Sequence, residues 1–279
     1  MLTAFLSQFG AVLILFLGWE YHMGSRAMMP LRMFKRRTQV GASGEAFFLM
    51  FIFIGSAYYL PFFYQSKGRT PTQSGIDIIP FMLSTVVGTA GSGAIINKTG
   101  RYWPFLVFGP LVAAPAGGLL FTIDVNTSSA KLIGYQILLG IGCGVAFQNT
   151  IISIQAEYAD EPETIPQATS IVTFMQLIGG TVGIAITGTI FGTKLTSNLA
   201  GYAGVIPEQT LQAVRQSVSV IFMLPKELQD PVVHAYVAAL DYTFIIIVPA
   251  AGLASLFALL IRNWNLKERG GAGVGAGMA

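Results

Sequence analysis

Charged residues are scarce in this chain: they make up 10% of its 279 residues, against 53% that are hydrophobic. An ordinary soluble domain carries roughly 25% charged residues, and a water-soluble exterior on a chain of this length would need Lys, Glu, Asp and Arg in quantity. A soluble globule is therefore excluded. Cysteine is scarcer still. The single one, Cys143, sits in an apolar run, so it forms no internal disulfide and a packing role is expected. The only two histidines, His22 and His234, lie in separate connectors, and no catalytic constellation or metal-ligand spacing is found. No metal, cofactor or enzymatic activity is expected. The formal charge is only +3 and no basic face is interleaved with aromatics, so nucleic-acid binding has no support. The apolar stretches also lack the strict alternation of a membrane β-strand.

What the chain does have is a series of unbroken apolar runs of about 20 residues, the length a helix needs to cross roughly 30 Å of hydrocarbon. They fall at 2–19, 45–64, 75–96, 102–123, 132–155, 166–192 and 242–261. Run 2–19 has neither a basic n-region nor a small-residue cleavage site, so it reads as a span and not as a signal peptide. The expected fold class is all-α integral membrane, with about seven transmembrane helices.

The breaks between runs carry the charge. The connector 24–41 holds Arg26, Arg32, Lys35, Arg36 and Arg37; 65–74 and 97–101 are tight polar turns; 156–165 is acidic. In the long break 193–241, Leu211, Val214, Val218, Ile221 and Phe222 recur at helical spacing, which fits either a membrane-surface helix or a cap on the bundle. Asp230-Pro231 has the form of a helix start. Counting Lys and Arg in alternate connectors places Arg26, Arg32, Lys35, Arg36, Arg37, Lys98, Arg101, Arg262, Lys267 and Arg269 on one side, and Lys67, Arg69, Lys131, Lys194, Arg215 and Lys226 on the other. Positive charge collects on the cytoplasmic side, so a cytoplasmic C-terminus is expected, although the acidic break falls on that side too.

Chemistry within the spans is sparse. Glu45, Asp77, Glu157 and Asp241 fall at or near predicted span ends, so no titratable group is expected at the depth where a proton-coupled carrier keeps one. Amides stand out instead. Gln136, Gln148, Asn149 and Gln155 share one run and Gln176 lies within the next; Gln148 and Gln155, seven apart, lie on one helical face, and a stripe shared with Gln136 would serve either a substrate pathway or helix-to-helix hydrogen bonding. Gly140 with Gly144, Gly179 with Gly183, and Gly188 with Gly192 form small-xxx-small pairs, the pattern of close helix packing or of hinges. Pro104, Pro110 and Pro115 in the fourth run mark expected kinks.

The stretch YYLPFFYQSKGRTPTQSGIDIIP at 58–80 resembles the span-turn-span signature of fungal major facilitator superfamily transporters of the fourteen-helix drug:proton antiporter type. The loop pair Gly100-Arg101, the run FMQLIGGTVGIAITGTIF at 174–191, the long outer loop before the last span and the basic connector PLRMFKRR at 30–37 are similar to that family too. The resemblance covers nearly the whole chain and implies a domain plan. Residues 1–21 would be a remnant of the family's central helix pair, 22–44 a cytoplasmic basic connector, 45–262 the six-helix C-terminal bundle with an extracytoplasmic loop at 193–241, and 263–279 a cytoplasmic Gly-rich tail. The family's N-terminal six-helix bundle has no counterpart. GPLVAAPAGG at 109–118 has letters similar to the antiporter glycine-proline motif but a different spacing, and takes no role from it.

The activity this implies is proton-coupled antiport of drugs or toxic secondary metabolites by alternating access. One bundle cannot rock against itself, so the chain is expected to be inactive unless it dimerises or pairs with an N-terminal transporter half. Its expected partners are then the lipid bilayer, a small amphipathic substrate and that half, in a plasma membrane in preference to a vacuolar one. The alternative is a seven-helix receptor-like or structural membrane protein without transport activity. A membrane enzyme would need the catalytic cluster that is missing.

Overall fold

The structure is a computed structural model describing residues 10–12, 14–15, 18–20, 22–23, 29–202, 204 and 206–269. The predicted first span at 2–19 and the Gly-rich end of the tail fall largely outside them. The helices are α1 (Arg37–Ser66), α2 (Pro71–Asp77), α3 (Ile79–Thr99), α4 (Trp103–Leu120), α5 (Ser129–Glu157), α6 (Ile165–Leu199), α7 (Glu208–Gln216), α8 (Lys226–Phe244), α9 (Ile247–Ala258) and α10 (Leu266–Arg269). The described residues contain no β-strand, and six of their helical stretches are long and apolar enough to cross a membrane: Arg37–Ser66, Pro71–Thr99, Trp103–Leu120, Ser129–Glu157, Pro162–Tyr202 and Lys226–Ala258. In hydrocarbon a backbone must satisfy its own hydrogen bonds, which is why continuous apolar runs become helices.

Two boundaries differ from the sequence reading for a shared reason. α1 begins at Arg37, inside the stretch read as connector, because its first turns bury Thr38, Gln39 and Ser43. These polar residues interrupt the apolar run without interrupting the helix. α8 begins at Lys226 with Pro225 as its N-cap, inside the stretch read as loop, and the pair Asp230-Pro231 lies within the helix instead of starting it. In α4, Pro110 and Pro115 are interior, whereas Pro104 occupies the first turn, where a missing N–H costs nothing and no kink follows.

The broadest interfaces are α3 on α5, α1 on α6 and α4 on α5, and α1 also meets α5 and α9. Glycines allow these approaches. A Cβ on Gly140 would lie 2.4 Å from the Phe81 carbonyl oxygen, one on Gly179 2.1 Å from that of Phe47 and one on Gly183 2.8 Å from that of Phe51. Gly188 would meet the Tyr59 hydroxyl at 3.0 Å, and Gly192 has nothing within 4 Å, so it packs against no neighbour. Outer faces remain apolar, as lipid requires; Leu83, Val86 and Val87 of α3 are more than half exposed. Leu211, Val214, Val218 and Ile221 are buried in the main core cluster, so the amphipathic stretch caps the bundle; its helix breaks at Ser217, which leaves Phe222 turned outward.

The turn after α3 positions one end of the molecule. Gly100 takes φ +72° as the left-handed C-cap, its N–H donates to the Ile96 carbonyl (2.6 Å), and its own carbonyl accepts from the Leu266 N–H (3.0 Å). Only glycine adopts this conformation without strain, and a Cβ would also lie 2.3 Å from Oδ1 of Asn265. Gly100→Ala is therefore expected to lower stability by about 1–2 kcal/mol and to release the 262–269 segment, read as faster protease cleavage there; unchanged cleavage would show that the segment is held without this turn.

Candidate functional site

The same end gathers the charged connectors. The Arg36 guanidinium donates to Glu161 (2.5 Å) and lies 4.3 Å from the Tyr158 ring centroid; Arg269 pairs with Asp160 (3.2 Å), stacks on Trp264 (3.5 Å) and donates to the Ala156 carbonyl (3.0 Å). Burial works against the Arg36 charge, but the hydrogen bond and charge of Glu161 outweigh it and raise its pKa. The acidic break thus sits on the side with most of the positive charge because arginines from the α1 start and the C-terminal segment neutralise it. Tyr102 donates to the Arg262 carbonyl (2.6 Å) and accepts from the Trp264 N–H (3.2 Å); burial, aided by the nearby Glu157 charge and opposed by the Trp264 bond, pushes its hydroxyl up to about 12.

Glu157 closes this end. Only 8% exposed, it accepts through Oε2 from the Thr38 hydroxyl (3.0 Å) and from Nε1 of Trp264 (2.8 Å), and Arg262 lies 3.9 Å from Oε1. With Arg36, Asp160, Glu161 and Arg269 it lines a cavity of about 510 Å³ open to this end.

Glu45 is the group the sequence reading misplaced. Because α1 starts at Arg37, Glu45 lies eight residues in, about 12 Å along the helix. It is 0% exposed and neither carboxyl oxygen completes a hydrogen bond. Thr150 of α5 faces it, with its hydroxyl turned to the Ala146 carbonyl (3.0 Å). Asp241 lies close to Asp124 of the turn after α4, where its neighbour Tyr242 meets Phe121, so it stays near a span end as expected, with Oδ1 buried and unpartnered. The expectation that all carboxylates sit at span ends is corrected for Glu45.

The predicted amide stripe divides. Gln136 is fully buried and its amide N–H groups donate to the Tyr64 hydroxyl (2.6 Å) and the Asp77 carbonyl (3.2 Å); Asn149, also fully buried, donates to the Ser92 hydroxyl (3.1 Å) and the Val145 carbonyl (2.5 Å). These two bind helix to helix. Gln148 is exposed, while Gln155 and Gln176 are half-buried, so the outward-facing amides are on other sides of their helices. Gly100 performs the docking described above, and Arg101 beside it is exposed. Among the described residues no three His, Cys, Asp or Glu side chains gather as metal ligands. A signal for the Glu45 site was present in the sequence: Thr38 and Glu45 on α1, like Thr150 and Glu157 on α5, are seven residues apart and so share a helical face.

Residues 24–184 match the family model described as Major Facilitator Superfamily. The chain belongs to this superfamily. It is thereby a multi-pass membrane protein, in keeping with the six helical stretches among the described residues that are long and apolar enough to cross a membrane. It is 36% identical over 274 residues to the MFS-type transporter astH of Aspergillus oryzae (96% of this chain, 47% of that protein) and 33% identical over 250 residues to the MFS-type efflux pump elcC of Phaeosphaeria nodorum (89% and 44%). The Aspyridones efflux protein of Neocamarosporium betae is 29% identical over 258 residues (92% and 45%). The chain spans about half the length of the curated relatives it matches. Among solved structures, a bacterial homologue of the human lysosomal transporter Spinster, inward-facing and occupied, superposes with a TM-score of 0.66 at 18% identity, over 85% of this chain and 51% of that one. That likeness concerns the fold.

Proposed function

We infer that this chain is the C-terminal half of a proton-coupled efflux transporter for amphipathic small molecules such as secondary metabolites, active when paired with an N-terminal half. The observation that carries the reading is the match of 96% of the chain to 47% of a fungal superfamily transporter. Two bundles that rock about a shared interface perform alternating access; six spans supply one of them. Proton coupling is supported by Glu45, a carboxyl held at membrane depth, where an ionisable group is costly and marks function. In this reading the basic end faces the cytoplasm, in a plasma membrane. Gln148, Gln155 and Gln176 contribute to the face toward the partner half, and Gln136 and Asn149 hold helices together.

The test is co-expression with the N-terminal half of an efflux relative in cells lacking their own pumps. Export of an amphipathic dye is expected only from the pair, and export by this chain alone would overturn the need for a second half. In the pair, Gln148→Leu is expected to change the ranking of exported compounds with protein amount unchanged, whereas Gln136→Leu is expected to lower the amount by breaking the Tyr64 bond. An unchanged ranking in Gln148→Leu would remove Gln148 from the pathway.

A further inference from the structure

α1 leaves the basic end while α5 returns to it, so the two helices pair antiparallel. Their polar side chains meet in register: Thr38 bonds Glu157 at the end of the bundle, and seven residues deeper on each helix Glu45 faces Thr150. Seven residues are about 10.5 Å of helix. Between these rungs Ser153 is fully buried, with its hydroxyl on the Thr150 carbonyl (2.6 Å). The file is closed on its other sides. α9 and the segment that follows it meet α1 through Phe257 and Ile261 beside Gly41, and α6 meets α1 through the Ala168 carbonyl, which accepts from Gln39. The charged groups at the file are Glu157 from α5, Arg262 from the segment after α9, and Arg36 and Arg37 at the start of α1 itself.

We propose that this file is the proton route of Glu45: its proton exchanges with the basic end through the interior of the bundle, with Glu157 as the terminal acceptor. The inference rests on Glu45 being the coupled carboxyl and adds how a proton reaches it without crossing the face that meets the partner half. In the exchange an O–H bond of Glu45 breaks and one of Glu157 forms. The negative charge moves from Glu157 to Glu45; the Thr150 and Ser153 hydroxyls, which rest on the Ala146 and Thr150 carbonyls, turn into the file so that each, like Thr38, accepts one proton as it passes on another. Thr38 is placed for this, because its oxygen accepts from the Arg262 N–H (3.3 Å) while its hydroxyl donates to Glu157. Arg262 lies 3.9 Å from Glu157 at the mouth of the file. Glu157 then delivers to the open cavity it lines.

Infrared spectroscopy of the full chain in lipid nanodiscs tests this. The carbonyl stretch of a protonated carboxyl that disappears in Glu45→Gln reports Glu45, and its shift on flushing with heavy water reports exchange. Glu157→Gln keeps one acceptor oxygen for Thr38 and Trp264, which share a single oxygen of Glu157, but takes no proton, and is expected to slow that exchange roughly tenfold or more. Glu157→Asp is expected to restore it. Unchanged exchange in Glu157→Gln, or a wild-type spectrum without a Glu45 band at neutral and mildly acidic pH, would overturn the route. Export assays in the paired transporter separate the two readings: proton-independent export with intact exchange kinetics would sink the coupling role of Glu45 and leave the route standing.

Discussion

Replacing Glu45 with leucine is expected to end proton-driven export and, in the same protein, to raise the temperature at which the chain unfolds. Most substitutions at a fully buried position destabilise, so the sign of the second effect is informative. The Glu45 carboxyl has given up water for a site in which neither oxygen completes a hydrogen bond. Taking a polar group out of water without a partner costs on the order of 1–3 kcal/mol, and leucine of similar volume removes that cost while keeping the contacts with α5. Stability raised by about that much, measured by thermal unfolding in detergent, together with lost export in the paired transporter, would mark Glu45 as a residue kept for function at the expense of the fold. Earlier unfolding of Glu45→Leu would instead mean that the carboxyl makes a stabilising bond, and its role would then be structural.

Six of the spans were legible because their cause is simple: long uninterrupted apolar runs admit one solution in hydrocarbon. The site was less legible, and for a physical reason. Reading spans from hydropathy assumes that polar residues mark the water boundary, yet α1 buries Thr38, Gln39, Ser43 and Glu45 within its first turns against α5, α6 and α9. A helix at the centre of a bundle faces protein on most sides, so its polar residues report neighbours and not depth. The same cause divided the amides. Gln136 and Gln148 lie twelve residues apart on α5, which turns them about 120° from each other, and only the packing of α1 and α3 decides which of them is enclosed. The acidic break was puzzling in a charge count for a similar reason, since the count cannot show that Glu157, Asp160 and Glu161 are answered by Arg262, Arg269 and Arg36.

Gly144→Ala is expected to be the most damaging methyl that can be added to the α3–α5 interface. The small-xxx-small spacing identified Gly144 without saying what it touches. A Cβ there would stand 2.2 Å from the Thr85 carbonyl oxygen and 2.9 Å from its Cα, and those are backbone atoms that no rotamer change removes. Reaching ordinary contact at 3.4 Å requires the two helices to part by about 1 Å. Parting them also stretches the bond from the Thr89 hydroxyl to the Gly144 carbonyl, now 2.8 Å. Overpacking of this kind costs about 1–3 kcal/mol, and between membrane helices no hydrophobic term compensates, because lipid solvates the separated faces as well as protein does. Gly192→Ala supplies the opposite sign. It meets nothing within 4 Å, so it gains up to about 1 kcal/mol of helix propensity without penalty. A thermal scan of both variants should therefore move in two directions from one chemical change. If Gly144→Ala unfolds with the wild type, α3 and α5 do not approach at this point and the position of Gln136 and Asn149 between helices would need to be drawn again.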